Sequence, residues 1–170
     1  MNTDPYIISS DVRKHSLIQY EYKGKDYKYK MTACHPAAHN STILERDIRV
    51  LEAGKDFLSV TNEYVTGRWM TPNKLIIVEG MSVTFVNPDL FDLMIYFYTD
   101  AETEFERRYG WDIFERGAKK EYLTHSHKHR RIQYDEFMHP YSEHFDMVIK
   151  STDEELIIEE IPFTRKGTCL

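Results

Sequence analysis

Four short runs in this chain stay apolar without alternation: YIIS at residues 6–9, LIIV at 75–78, LMIYFY at 93–98 and MVI at 147–149. Successive side chains of a strand point to opposite faces, so an unbroken apolar run predicts a strand covered on both sides. Between the runs the period changes to that of a helix. Thr42-x-x-Glu45 has the form of a capping box, Leu44, Ile48 and Leu51 follow on one face, and Gly54 closes the pattern. A second helix is predicted over about 103–116, stopping at Gly117, and a third over about 121–138, before Pro140. Strands alternating with helices imply an α/β domain with a mainly parallel sheet flanked by helices. In such sheets ligands sit beyond the carboxyl ends of the strands. The length of 170 residues fits a single domain over residues 1–161, with a loose tail at 162–170.

Composition narrows the function classes. Apolar residues make up 41% of the chain and charged residues 29%, values of a soluble globular protein. A net charge of −6 argues against a nucleic-acid binder and against a coat for anionic membranes. No apolar run approaches the ~20 residues of a membrane span. The N-terminal MNTDPYIISS lacks the pattern of a signal peptide. Cys34 and Cys169 form no CxxC motif, so a reducing compartment and the cytoplasm are expected. One segment alternates strictly: QYEYKGKDYKYK, residues 19–30, predicts a hairpin about Lys23-Gly24 with one tyrosine face and one charged face. Such tyrosines either stack bases or pack the hairpin onto its own domain.

Several residues have the chemistry of a site. Glu79 follows LIIV and precedes Gly80, which puts a carboxylate at a strand end beside a position open to close approach. There it either orients a Mg²⁺ ion or simply faces water. Asp11 repeats the arrangement after YIIS, as a base or as a helix N-cap. Arg107-Arg108, Arg116 and Lys119-Lys120 either clamp phosphoryl charge or form a solvated face with Glu104–Arg108 and Asp112–Arg116 pairs. His125, His127 and His129 lack a Cys or acid at ligand spacing to complete a zinc site. No Gly-x-Ser-x-Gly elbow supports a nucleophilic hydrolase.

Taken in order, YIISSD, HPAAHN, ILERDIRVLEAGKDF, KLIIVEG, LFDLMIYFYTDAETEFERR, DIFERG and FMHPYSEHFDMVI resemble the uridine kinase and phosphoribulokinase group of P-loop kinases. The resemblance runs from about residue 6 to 149. It implies an ATP- and Mg²⁺-dependent phosphotransferase acting on a hydroxyl of a nucleoside or other small metabolite. By resemblance Asp11 accepts the proton of that hydroxyl, and Glu79 holds Mg²⁺ through its water shell. His35 and Tyr64 lie near the acceptor; Arg108, Arg116 and Lys120 meet the ATP phosphates from a lid over about 108–130. A homo-oligomer is the expected assembly.

The pattern also departs from the family. Cys34 and Ala37 replace the acids that flank His-Pro, Lys14 replaces an aromatic, and Gly67 replaces a base-contacting histidine. Trp111 and Ala118 replace arginines. No Gly-x-x-x-x-Gly-Lys-Ser/Thr loop occurs, and Met1 falls almost where the family's second strand begins. The expectation is therefore a kinase-like sheet whose first strand and phosphate loop come from an upstream segment or a second chain. The alternatives are that the 19–30 hairpin or LIIEEI (156–161) fills the gap, or that the chain is a non-catalytic binding or regulatory protein on a kinase scaffold.

Overall fold

The computed structural model describes residues 1–62, 65–114 and 120–160; of residues 110–114, 120 and 160 it describes the backbone alone. The elements follow the chain as α1 (Ser10–Arg13), β1 (Leu17–Tyr22), β2 (Lys25–Lys30), α2 (Ser41–Glu52), β3 (Phe57–Leu58) and β4 (Trp69–Met70). Then come β5 (Ile95–Tyr98), α3 (Ala101–Phe114), α4 (Lys120–Phe137), β6 (Met147–Ser151) and β7 (Leu156–Glu160). Strands β5, β6 and β7 form one mixed sheet in that order, β5 parallel to β6 and β6 antiparallel to β7. The architecture is α/β, a mixed sheet flanked by helices. The 93–98 and 147–149 runs are its strands β5 and β6.

The other two apolar runs are not regular strands. Residues 4–6 form a 3-10 turn, and Ile7 makes a single antiparallel bridge to His39 before α1 begins. Around 75–79 only Glu79 bridges, in parallel, to Asn2. Apolar character fixes that a segment prefers cover, but a strand also needs a paired neighbour, and this one has backbone partners on one side only. Tyr6 is nevertheless buried, with Leu44, Ile48, Val86 and Leu90 in one core cluster. Its hydroxyl donates to Asp47 Oδ2 at 2.7 Å, and Arg46 holds the other oxygen at 2.6 Å. Met94, Tyr96, Phe145 and Val148 form a second cluster under the sheet.

Helices came out close to expectation, the capping box excepted. Helix α2 starts at Ser41 with Asn40 as its N-cap and no side-chain cap bond, so Thr42 and Glu45 lie inside the helix rather than at N-cap and N3, and Glu45 accepts from the Asn87 backbone N–H at 2.9 Å. Helix α3 starts at Asp100, whose Oδ1 accepts from Thr103 N–H at 2.9 Å. That hydrogen bond, reinforced by Lys150 at 3.3 Å, draws the Asp100 carboxyl down to about 2.

Hairpin β1–β2 turns at Lys23 (φ 51°) and Gly24 (φ 72°), two left-handed residues that suit a two-residue loop. Its tyrosine face packs on α4: Tyr29 stacks on His129 at 3.9 Å, Tyr20 meets Phe137 edge-on at 5.3 Å, and Tyr22 donates to Asp135 at 2.9 Å. Gln133 of α4 is fully buried beneath it. Its Oε1 accepts from Thr32 N–H and Oγ1, and its Nε2 donates to the Lys30 carbonyl. The hairpin therefore belongs to the fold's own packing. Of the expected 108–130 lid, side chains 110–120 lie outside the described residues and the remainder belongs to α3 and α4; the expected 162–170 tail lies wholly outside them.

Candidate functional site

A cleft of about 1010 Å³ runs between the 73–80 segment and β5, with α4 along its floor. Its walls are largely apolar, with Glu52, Asn73, Lys74 and Asp92 among the polar exceptions and a further set of polar groups near Met81. There stand Glu79 and Gly80 from the first wall, Thr99 and Glu104 from the end of β5 and the start of α3, and Arg130 and Arg131 from α4. This is the sheet-end position that an α/β arrangement offers to a ligand.

Each of these groups has a defined support. Glu79 is held from both its backbone and side chain: Thr3 N–H donates to its carbonyl at 2.9 Å, and Asn2 Nδ2 donates to Oε1 at 2.6 Å. Glu104 is gripped by Arg130 at 3.0 Å and Arg131 at 3.3 Å. Burial pushes the Glu104 carboxyl up, but Arg130, His127 and Arg131 outweigh it and leave it below its ordinary range. Arg131 also donates to the Thr99 carbonyl at 3.0 Å and lies 4.3 Å over the Tyr134 ring, which fixes its plane. Arg130 reaches across to Met81 Sδ at 4.0 Å, next to the Glu79-Gly80 wall. Cys34 lies in the same wall, and burial pushes its thiol up. A neutral thiol there supplies neither nucleophile nor carboxylate.

The cleft lining combines a hard carboxylate, Glu79, with two oriented guanidiniums, Arg130 and Arg131. It suits a Mg²⁺ carried on a polyphosphate, oxygen for the cation and guanidinium forks for phosphate oxygens. Arg130 and Arg131 close the HSHKHRR run, and their partner Glu104 is too remote in sequence for local spacing to reveal the pairing. Their signal was helical spacing: Arg131 lies one turn before Asp135 and pairs with it at 3.5 Å.

Other expected site residues lie elsewhere. Asp11 does not line the cleft. It sits in the short α1, capped by Ser9, with its carboxylate 2.6 Å from Lys14 Nζ. The Lys14 hydrogen bond holds the Asp11 carboxyl below its ordinary value. His35 caps the 3-10 turn Pro36–Ala38, its Nδ1 accepting from Ala37 N–H at 3.1 Å, and its ring meets Phe137 at 4.6 Å. Arg107 ties α3 to the β6–β7 turn through Asp153 at 2.9 Å and the Thr152 carbonyl at 2.8 Å. Arg108 is half-buried on α3, in the electrostatic field of His127. Tyr64, Arg116 and the Lys120 side chain lie outside the described residues.

Two glycines have structural reasons of their own. A Cβ on Gly80, at φ 125°, would stand 2.3 Å from Thr3 Oγ1, so a threonine side chain fills the space there. A Cβ on Gly67 would stand 2.3 Å from the Ser59 carbonyl oxygen. The histidine expected from the family at that point has no room. Among the described residues no group of His, Cys, Asp and Glu could hold a metal by itself, and no helix is long and apolar enough to cross a membrane.

An α/β sheet with acids and guanidiniums gathered at one strand end belongs to the class of nucleotide- and phosphate-handling domains. Within that class the chain belongs to the Phosphoribulokinase / Uridine kinase family, whose sequence profile matches residues 7–158. It is similar to chloroplastic phosphoribulokinase of Arabidopsis thaliana, 28% identical over 153 residues, 86% of this chain and 38% of that protein. Uridine kinase of Borrelia duttonii is 28% identical over 154 residues, 84% of this chain and 72% of the relative. Uridine kinase of Staphylococcus aureus is 27% identical over an alignment of 177 residues, 93% of this chain and 85% of the relative. The chain spans under half the length of the phosphoribulokinases it matches, 38% in the Arabidopsis case.

Proposed function

We propose that this domain carries the acceptor and magnesium side of an ATP-dependent small-molecule kinase, with a hydroxyl of a nucleoside or related metabolite as acceptor. The observation that carries the reading is the family match over residues 7–158, which spans both the Asp11 and Glu79 segments. Mg·ATP, when bound, supplies the phosphoryl group and a cation that neutralises its charge. Glu79 would hold that cation, its carboxylate's rotation fixed by Asn2. Arg130 and Arg131 join Arg108, Arg116 and Lys120 as the cations that meet phosphate oxygens. Glu104 keeps the two α4 guanidiniums in place until the anion arrives. His35 and Tyr64 line the acceptor side.

Asp11 takes the proton of the acceptor hydroxyl. A carboxylate tied to Lys14 is a weaker base than a free one, so Asp11 must exchange Lys14 for the acceptor hydroxyl as substrate binds. The test is transfer of labelled γ-phosphoryl from Mg·ATP to nucleosides, read by chromatography of the product. Asp11→Asn is expected to lower the rate by roughly 10²–10⁴-fold, the usual worth of a positioned base. Equal rates in the two proteins would remove Asp11 from the mechanism.

The Asp11–Lys14 pair favours a second reading, a binding or regulatory protein in which the acid is permanently neutralised. That protein binds nucleotide or metabolite without transfer, and its binding is unchanged by Asp11→Asn.

A further inference from the structure

Residues three apart on a helix are neighbours on its surface, and on α4 that spacing puts the Arg131 guanidinium 4.3 Å over the Tyr134 ring. The stack sets the plane of the guanidinium. Its rotation within that plane is set by polar partners. Nη1 donates to the Thr99 carbonyl at 3.0 Å and to Glu104 Oε2 at 3.3 Å, and Nε faces Asp135 Oδ1 at 3.5 Å. Among the described residues no group accepts from Nη2, which makes it the edge left to an incoming anion. The side chain is 20% exposed, so that edge is within reach of the cleft it lines.

The ring beneath the guanidinium is itself held at its far end. Tyr96 of β5 donates to the Tyr134 hydroxyl at 3.2 Å, and that hydroxyl lies 3.2 Å from His139 Nδ1. An oxygen that accepts from one side has its own proton for the other, so Tyr134 donates to Nδ1 and the His139 proton sits on Nε2. Burial pushes both phenols up, Tyr96 to about 12, so each keeps the proton it donates. His139 opens the 3-10 turn after α4, and its ring is packed among Tyr96 at 6.1 Å, Tyr98 at 5.4 Å and Tyr134 at 5.4 Å. Tyr98 in turn donates to Glu159 of β7. Filling space at this point needs only a phenyl ring; the hydroxyl chain adds orientation.

We propose that Tyr134 is a positioning residue for a polyphosphate site: its ring sets the plane of the Arg131 guanidinium, and the Tyr96–Tyr134–His139 chain keeps that ring from rocking. A guanidinium fork held in one plane loses less freedom when it meets phosphate oxygens, and hydrogen bonds in series strengthen one another. The inference rests on the reading of Arg131 as a phosphate-binding cation and adds what keeps its geometry constant.

The probe is magnesium tripolyphosphate, titrated into the full chain by calorimetry, beside the Nε–H proton resonance of Arg131, which the ring beneath it displaces upfield. Tyr134→Phe keeps the ring and loses the chain; it is expected to weaken binding about threefold and to broaden the resonance. Tyr134→Leu loses the ring as well, and a loss of about tenfold with return of the resonance to its ordinary position is expected. Tyr96→Phe is expected to match Tyr134→Phe, and the double variant to bind no more weakly than either, since both cut one chain. Equal affinity in all the proteins, or an Arg131 resonance that ignores both Tyr134 substitutions, would overturn the positioning role. So would additive losses from Tyr96→Phe and Tyr134→Phe. A folded wild-type chain that binds no tripolyphosphate would overturn this role together with the phosphate reading, whereas equal binding by every variant overturns this role alone.

Discussion

Gly80 shows how a single residue is tied to its neighbours. It has φ 125°, and its missing Cβ makes room for Thr3 Oγ1 at 2.3 Å. Gly80→Ala is expected to cost about 2–4 kcal/mol, from the left-handed backbone and the clash together. Thr3→Ala removes the hydroxyl that clashes, so the double variant is expected to recover part of the loss; urea unfolding of the four proteins gives the coupling directly. Strict additivity would show that Thr3 and Gly80 do not meet.

His39 is buried between Ser82 and Ala33, with Nε2 donating to the Ala33 carbonyl and Nδ1 accepting from Ser82, each at 2.8 Å. Burial lowers its pKa to about 4. The folded value lies below the ordinary value of 6.5, so between the two the unfolded chain binds more protons. The contribution is complete above about 6.5 and is lost as pH falls toward 4. It is on the order of 3 kcal/mol. His35, His127 and His129 are lowered by burial too and act in the same direction. Thermal melts at pH 7.5 and 4.5 are expected to show a drop that His39→Gln reduces; an equal drop in both proteins would place the titration elsewhere.

At the scale of elements, the hairpin's ring contacts with α4 are joined by one buried amide, Gln133, which bonds the end of β2. Gln133→Leu keeps the volume but leaves Thr32 N–H and the Lys30 carbonyl without partners. It is expected to cost about 2–4 kcal/mol and to speed exchange in β1–β2 before the sheet. Uniform loss of protection across the molecule would mean the hairpin is not a separable unit.

What was legible in the sequence follows from the same physics. Hairpin, helices and strands β5 and β6 were readable because period, turn residues and caps are local signals. The 75–78 run read as a buried strand because it is apolar, yet Leu75 and Ile77 are exposed: burial depends on a neighbour that periodicity cannot name. Glu79 was expected at a strand end from its position after LIIV; it makes one isolated parallel bridge, to Asn2. Arg130 and Arg131 were missed because their partner Glu104 is remote in sequence, and the capping box failed because the helix begins at Ser41 behind an Asn40 cap, which puts N3 at Ile43 rather than Glu45.

At the scale of the whole molecule, the chain is a family member with an apolar cleft that ends in acids and guanidiniums. We propose that this end receives Mg·ATP. Isothermal titration of Mg·ATP into the full chain tests it most directly, with circular dichroism confirming the fold and Glu79→Gln as the comparison. Saturable heat that weakens by about tenfold or more in Glu79→Gln, the loss of roughly 1.4 kcal/mol, is the expected result. Absence of heat from the folded wild-type chain, or identical isotherms for both proteins, would contradict it.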